Sequence, residues 1–523
     1  MQSVNAAFTA EEKDFTRSIA ESLMISWHRQ NLLSNRTFTI GVSLIGGNDL
    51  IGANPGAIGS PGNYKYFDES AYAMSLNWER GYNMPIGGLT MAMAEAILDN
   101  TSKRFTPRAL GGRSEISTAI LPSRPAMISA GFYIGGVPIT LPQFTGLTSD
   151  QPEIDAAQRQ IRLQMQDYMS FFQNKTIDQA AIYTGQRTDQ LLQTLLTNAG
   201  MNTAQYDLDY GINVIPFARW DVGAKFSDII GQLVQAENGH FYQDESGIFK
   251  FENRQHWNSA PYTQVQKVIS TGQVINAESP DTSHLINVVE ITGDVYEKQP
   301  EQIIYRLNPF DNIAIPANSN ADIFVNFDDP VLSMTTPTAS GQTSFFVANS
   351  VSDGSGTDLT SSLSANKVTR FAQSAKINFV NSSSSIAYIT NLVITGRVAR
   401  SVSQIYTRAT AGHSITVYNE QVLTISDNPF IQNQSWAESF AQMILQDFST
   451  PENIQKITIK AFPELQLGDL ISWQGRYWRI FDIKTTLDPN QGFIQELTLL
   501  QRAVTNYFRI GFSTIGGTDQ IAP

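Results

Sequence analysis

The hydrophobic positions of this 523-residue chain change period several times, and the changes outline its parts. Near the start, Phe15, Ile19, Leu23 and Trp27 recur every four residues, and Thr9 with Glu12 has the spacing of a capping box. That pattern predicts a helix with one apolar stripe, packed on its own domain or extended as an arm onto a neighbouring subunit. From Phe38 the period becomes two, through FTIGVSLIG, and a Gly-, Asn- and Pro-rich loop follows from Gly46 to Asn63. A loop of that length suits a binding or assembly role. The stretches Tyr72 to Trp78, Gly88 to Leu98, Ala126 to Ile134, Val137 to Phe144 and Ile154 to Met165 read as strands, with turns such as Gly135-Gly136 between them. They predict an antiparallel, barrel-like β domain.

Two helical patterns come next. Leu191, Leu192, Leu195 and Leu196 give one apolar face within Asp189 to Ala199, and Phe226, Ile229, Ile230 and Leu233 give another within Asp221 to Glu237. GHFYQDESGIFKFE then reads as a hairpin turning at Asp244 to Gly247, which completes a small α+β module. Asn258 to Thr424 is β again, with a Ser/Thr/Gly-rich stretch from Thr335 to Ala365 that reads as surface loop or strand-poor insertion. Trp436, Phe440, Met443, Ile444 and Phe448 predict a helix over Ser435 to Phe448, with Ser435 and Glu438 as its capping box and Pro451 as its stop. Ile454 to Arg502 alternates strongly and closes the chain's β content.

Composition narrows the class. Hydrophobic residues make up 41% of the chain and charged residues only 16%, so packed cores are available for two to four domains while the surface is dressed in uncharged polar groups. Such a surface suits β-rich structural proteins and faces buried in assemblies. The net charge is −13 and no basic run occurs, which argues against a dedicated nucleic-acid binder. There is no cysteine, so disulfides, thiolate zinc sites, cysteine nucleophiles and cysteine-held iron–sulfur clusters are excluded. The start of the chain turns acidic at Glu11 and Glu12 before any apolar stretch, which is not a signal-peptide pattern. No apolar run approaches the ~20 residues of a membrane span.

Chemistry is sparse. The histidines His28, His240, His256, His284 and His413 form no HExxH, and no GxSxG elbow or P-loop occurs. Asp328-Asp329 is a nominal carboxylate pair ahead of Pro330, where turn-forming Asp is the ordinary explanation. The loop Asp353 to Asp358 offers oxygens to Ca²⁺ but lacks the ligand set and terminal Glu of an EF-hand, and reads as a plain flexible loop. No residue is assigned to catalysis, to a cofactor or to a metal.

Several segments in order carry a resemblance. NWERGYNMPIGGLTMAMAEAILDNTSKRFTP (Asn77 to Pro107) ends in Leu98, Asp99, Asn100, Arg104, Phe105 and Pro107; Ser102-Lys103 stands where an Asp-Gly turn is common. Arg124-Pro125 opens a strand, PQFTGLTSD follows from Pro142, and FVNFDDP (Phe324 to Pro330) and INFVNSSSSIAYITNLVITGR (Ile377 to Arg397) lie in the β insertion. Trp436 to Leu500 supplies a helix, a proline, LQLGDLISW from Leu465 and FIQELTLL from Phe493. Taken in this order over Asn77 to Arg502, they resemble the tail-tip hub or minor tail proteins of siphophages, whose core is similar to the baseplate hub of contractile tails.

The resemblance implies a mainly β, multidomain fold with two tail-tube-like β-barrel domains, a small α+β module and an inserted β-sandwich. The boundaries expected are a helical arm at 1–37, a first tube-like domain at 38–178, the α+β module at 179–257 and the insertion at 311–400. The second tube-like domain takes 258–310 and 401–505 with helix 435–448, and 506–523 is a tail. It implies a non-enzymatic virion protein, made in the host cytoplasm, that forms a homotrimer ring around a channel through which DNA passes without specific binding. The implied neighbours are a tail-tube or distal tail protein, a tape-measure protein, and receptor-binding or fibre proteins. Some lambda-like relatives hold an iron–sulfur cluster through cysteines, which this chain does not have. The rival expectation is a carbohydrate-binding or carbohydrate-degrading tail protein that uses the Ser/Asn-rich insertion, with seven Trp and eighteen Tyr available to stack on sugars.

Overall fold

Alternation decides most of the architecture. In Ala73–Gly81, Leu76, Trp78 and Arg80 are buried while Glu79 is exposed, and in Met93–Asp99 the buried set is Ala94, Ala96 and Leu98. Period-two burial of this kind is what a sheet with one covered face imposes. With 47% of residues in strands and 17% in helices, the chain is mainly β and is built from several sheets. The computed structural model describes residues 1–12, 17–29, 64–150, 152–155, 157–178, 181–280, 282–308, 310–339, 341 and 343–501. No helix among the described residues is long and apolar enough to cross a membrane.

The first correction is at the N-terminal end. Only Ala6–Glu11 is helical, capped by Asn5, whose side chain accepts from the Phe8 amide at 2.9 Å; the Thr9–Glu12 box is not the cap. Ile19–Arg29 is a strand, paired antiparallel with Pro125–Ile134 from Ile19↔Phe132 to Ile25↔Ala126. A spacing of four is even, so Leu23 and Trp27 share one face of a strand as readily as one stripe of a helix, and buried Ile25 between them breaks the tie. Phe15, the FTIGVSLIG segment from Phe38 and the loop 46–63 lie outside the described residues.

The second correction concerns the two barrels. Strands from both β stretches join a single 14-stranded sheet, and no closed barrel forms among the described residues. The joint is Arg476–Asp488. Its first residues pair with Leu470–Trp473, and after a register shift between Ile480 and Asp482 its remainder pairs with Ala73–Gly81. Such an irregularity bends a strand and raises its twist, so one strand serves two cores. On one side lie Trp27, Trp78, Phe105, Phe132 and Leu163; on the other lie Ile459, Phe462, Ile471, Trp478 and Leu497. Closure of the second unit fails where Lys267–Ile269 pairs with Leu470–Trp473, a turn intervenes at Thr271–Gln273, and Val274–Ala277 pairs with Ile454–Lys460. The strand is broken at the point where it would have to hydrogen-bond both neighbours.

Helices Thr188–Asn198 and Phe226–Glu237 pack with the hairpin His240–Gln243/Phe249–Glu252 over one core. Helix Gln434–Phe448 joins this core rather than that of the C-terminal strands. Phe440, Ile444 and Phe448 are buried in it, and the Trp436 indole donates to the Ala236 carbonyl at 2.8 Å. Its cap is Asn433, which accepts from the Trp436 amide at 2.9 Å, in place of the predicted Ser435.

Ala387–Thr410 is one strand of 24 residues. Its second half pairs with Val288–Lys298, from Val288↔Thr410 to Lys298↔Ala399, and its first half enters the insertion. There two sheets face each other across Val325, Phe346, Ile377, Phe379, Ile389 and Leu392. Part of the Ser/Thr/Gly-rich stretch is strand, Phe345–Asn349 in one sheet and the start of Leu363–Arg370 in the other, with a loop between them.

Candidate functional site

The residues with recognisable chemistry are tied up in structure. His256 Nδ1 lies 2.7 Å from Asp209, and its Nε2 lies 3.3 Å from Glu252. Glu252 also accepts from the Tyr82 hydroxyl at 2.8 Å and the Tyr242 hydroxyl at 2.7 Å. Burial alone would lower the His256 pKa, but the Asp209 hydrogen bond and the charges of Glu252 and Asp209 outweigh it and raise it. Burial pushes Glu252 up, against the charge of His256 and the two tyrosine bonds. Both imidazole nitrogens face carboxylates, with Nδ1 hydrogen-bonded to Asp209 and Nε2 buried beside Glu252, so the ring serves as a structural clasp. The adjoining cavity of about 230 Å³ is lined by polar groups including Arg80, Asp207, Asp244 and Lys250.

The other singled-out groups are dispersed. His240 is buried with its ring 4.3 Å from Tyr82 and stacked 5.1 Å from Trp257. Asp329 pairs with Arg400, and the Asp328 carbonyl accepts from Gln373 at 3.2 Å. Asp353 accepts from Ser355 and Asp358 from Thr360, both as local turn bonds. Among the described residues no group of three or more His, Asp or Glu side chains could hold a metal ion. Trp27, Trp78, Trp220, Trp473 and Trp478 are buried and Trp257 and Trp436 half-buried, so the tryptophans offer no open stacking platform.

Several of the segments that carry the sequence resemblance tie distant parts of the chain together. Asn100 folds its own loop, accepting from the Phe105 amide at 2.9 Å and donating to Thr106 at 3.2 Å, while Lys103 takes the left-handed φ of 56° that a glycine would favour. Arg104 holds buried Glu69 at 2.8 Å, and Glu69 in turn accepts from the Trp27 indole at 2.9 Å. Thr145 donates to the Glu245 carbonyl at 2.7 Å, and Gln243 donates to the Thr145 carbonyl at 2.7 Å, which docks the α+β hairpin on the first β unit. Gly146 is needed there because a Cβ would meet the Gln166 carbonyl oxygen at 2.2 Å. Gly146→Ala is therefore expected to cost about 1–3 kcal/mol by forcing these backbones apart, read as a lowered urea midpoint; an unchanged midpoint would show that the contact relaxes freely.

The same joint buries charge. Arg80, 6% exposed, pairs with Glu245, and its other terminal nitrogen donates to the Leu465 carbonyl at 3.1 Å. Burial lowers its pKa to about 10, against the opposing charges of Tyr242, Asp244, Asp469 and Tyr82, so it stays cationic at neutral pH. Sequence reasoning passed over Arg80 although its position carries a signal: it follows Leu76 and Trp78 on the inward face of an alternating strand.

The broadest candidate surface is the face of the large sheet turned away from its cores. Eight strands follow one another antiparallel: Val274–Ala277, Ile454–Lys460, Gly492–Gln501, Arg476–Asp488, Ala73–Gly81, Met93–Asp99, Gln160–Gln166 and Glu153–Asp155. Their inward residues fill both β cores. Their outward residues are mostly polar, with a directly cross-paired row Glu496↔Lys484↔Glu79 and, further on, Arg162 3.6 Å from Glu95, and with the apolar Met93 and Ile97 among them. Charge of alternating sign leaves no stripe of one sign along this face.

No protein-family model matches the chain, and no curated protein matches it in sequence. Among solved structures, the chain is similar to the 43 kDa tail protein of prophage MuSo2 from Shewanella oneidensis (11% identity, TM-score 0.43, covering 83% of this chain and 95% of that one). It is also similar to a tail protein from Neisseria meningitidis MC58 (9% identity, TM-score 0.44, covering 84% and 94%). A third is an Escherichia coli component of the type VI secretion system, described as similar to the T4 bacteriophage tail proteins gp27 and gp5 (8% identity, TM-score 0.34, covering 83% and 74%). All three TM-scores lie below 0.5.

Proposed function

We propose that the chain is a structural hub subunit of a phage tail tip, of the siphophage type. In this reading, three copies close into a ring that continues the tail tube and lines the DNA-ejection channel with the polar face of the eight-strand sheet. The observation that carries it is the continuity of that sheet: one surface is shared by two β units, with both hydrophobic cores behind it and charges of alternating sign in front. A wall of this kind holds no concentrated cationic stripe that would retain phosphate, so a polyanion slides past it. The order of the hub-like sequence segments supports the same reading, and two of those segments, at Arg80 and at Thr145, hold the sheet to the α+β module.

In this reading the insertion serves the other side. It hangs from the two-strand ribbon of Val288–Lys298 with 399–410, roughly 35 Å of extended chain, and has its own core. We assign it the platform role towards receptor-binding or fibre proteins, with the tail-tube or distal tail protein and the tape-measure protein meeting the ring itself. A reconstruction of assembled tails is expected to show a three-fold ring at the end of the tube with Lys484 and Glu79 facing the lumen. Six copies per ring, or this sheet face turned to the outside, would overturn the proposal.

A further inference from the structure

We propose that the side chains of Lys267 and Glu12 join covalently, as an amide between the lysine Nζ and the glutamate carboxyl carbon, with Glu464 relaying the proton. The bond staples the N-terminal helix to the second β unit and closes a loop across 255 positions of the chain. It stands apart from the hub reading and does not depend on it.

Three distant elements bring the groups together. Glu12 caps the C-terminal end of Ala6–Glu11, Lys267 opens the strand Lys267–Ile269, and Glu464 lies in the turn after Ile454–Lys460. Glu12 is 2% exposed and Glu464 0%, and the lysine Nζ donates to Glu12 Oε2 at 2.6 Å and to Glu464 Oε1 at 2.5 Å. The Nζ also lies 4.2 Å from the centre of the Phe462 ring. Arg17, 5.1 Å from the same ring, donates to the Glu12 and Ala461 carbonyls at 3.0 and 2.6 Å and holds the helix end in place. As an ion cluster the set is badly matched. One ammonium faces two buried carboxyls, and Glu12 Oε1 and Glu464 Oε2 receive no hydrogen bond from a nitrogen or hydroxyl among the described residues. Two buried carboxyls in contact do not both ionise; they share a proton. Burial, and then the hydrogen bond and charge of Glu464, raise Glu12 to about 7 against the pull of Lys267, so Glu12 is the member that holds it.

The step balances within these three side chains. The Lys267 ammonium passes a proton to the Glu464 carboxylate, and the neutral amine attacks the carboxyl carbon of protonated Glu12. The N–C bond forms and the C–OH bond breaks. The hydroxyl leaves as water, carrying a proton shed by the attacking nitrogen and relayed through Glu464. Lys267 ends as a secondary amide and Glu464 as a neutral acid, and nothing is oxidised or reduced. Between separate molecules in water such a condensation is unfavourable. Groups held in contact react with effective molarities on the order of 10⁵ M or more, and a site closed to water opposes the reverse step. The product also removes the mismatch, because two charges and one carboxyl oxygen leave the interior. Glu12 then no longer titrates, while Asp167 and Asp482 still do.

Mass spectrometry of the full chain reads the bond directly. The folded protein, incubated until its mass is constant and then denatured, is expected to weigh one water less than its sequence. Trypsin is expected to spare Lys267 and to release a branched peptide that joins 255–298 to the peptide ending at Lys13. Lys267→Arg should have the full sequence mass and run more slowly on a denaturing gel, because its chain is not closed into a loop. Glu464→Gln keeps the shape of the side chain but cannot take the proton of the amine, and should fold yet retain the full mass. Wild-type protein at full sequence mass, with Lys267 cut by trypsin, would overturn the bond and leave a buried ion cluster in its place. A lost water that maps to any other pair of residues would do the same. Condensation in Glu464→Gln as complete as in the wild type would remove Glu464 from the reaction.

Discussion

Replacing Arg80 with methionine is expected to destabilise the joint between the α+β module and the two β units by about 3–5 kcal/mol, because it strands the Glu245 carboxylate without its partner. Glu245 is 7% exposed, and its remaining side-chain contact is Gln466 at 3.4 Å. Glu245→Met should cost a similar amount, since it leaves the buried guanidinium without its ion-pair partner and with the Leu465 carbonyl as its hydrogen-bond acceptor. The double variant Arg80→Met/Glu245→Met removes both charges and should recover most of the loss, because a buried pair gains little over a well-packed apolar pair of similar volume. A chain of several units does not unfold in one step. The readout is therefore hydrogen exchange of the hairpin amides in His240–Gln243 and Phe249–Glu252, expected to quicken in each single variant and to slow again in the double. Equal exchange in all four proteins would mean that the pair contributes nothing to the joint.

How much of this was legible in the sequence varies with the physics of each element. The strands from Ala73 to Met165 and from Ile454 to Gln501 were readable because one face of each is covered, and coverage writes itself into alternation. Helices Thr188–Asn198 and Phe226–Glu237 were readable because their leucines and isoleucines keep to one stripe. The spacing i, i+4, i+8 in Ile19–Arg29 fits a helix and a strand alike, and the buried Ile25 between Leu23 and Trp27 is what marks it as a strand. Gly88 to Leu98 was read as one strand, but Gly88–Leu89 pairs parallel with His240–Phe241 of the module before Met93–Asp99 enters the large sheet. Which sheet a residue joins is fixed by partners far away in sequence, and no local pattern encodes it. The same holds for the shared sheet that replaces two closed barrels: it hinges on a one-residue register shift after Ile480. As for the candidate surface, its outward residues were visible as the polar half of the alternation, but their union into one face appears only when Asp482↔Gly81 and Leu487↔Leu76 are paired.

The stability of the free chain is expected to fall as pH rises from about 4 to about 8. Three buried carboxyl groups set the sign. Burial raises Asp167 to about 7, against hydrogen bonds from the Ala92 and Met169 amides. Burial also raises Glu12 to about 7, helped by the hydrogen bond and charge of Glu464 and opposed by Lys267. Asp482 is raised to about 7 by burial and then by Glu79 and Glu496, against Lys484 and Lys456. Unfolded Asp and Glu titrate near 3.9 and 4.3. Between those values and about 7 the folded chain therefore holds more protons than the unfolded one, and each rise in pH through that window favours unfolding. His256 acts in the same direction, since its raised pKa contributes stability at low pH that is lost as pH passes through it. Asp482→Asn isolates the effect, because among the described residues no hydrogen bond depends on its charge and its cross-strand neighbour Gly81 leaves room for the side chain. At pH 8 the neutral amide is expected to raise the thermal midpoint, with a gain on the order of 1–3 kcal/mol after allowance for partial solvent screening. At pH 5 the wild-type carboxyl is already protonated, and the two proteins should unfold together. An equal gain at both pH values would assign the stabilisation to packing, and a stability that rises from pH 5 to pH 8 would show that these carboxyls are ionised in the folded chain.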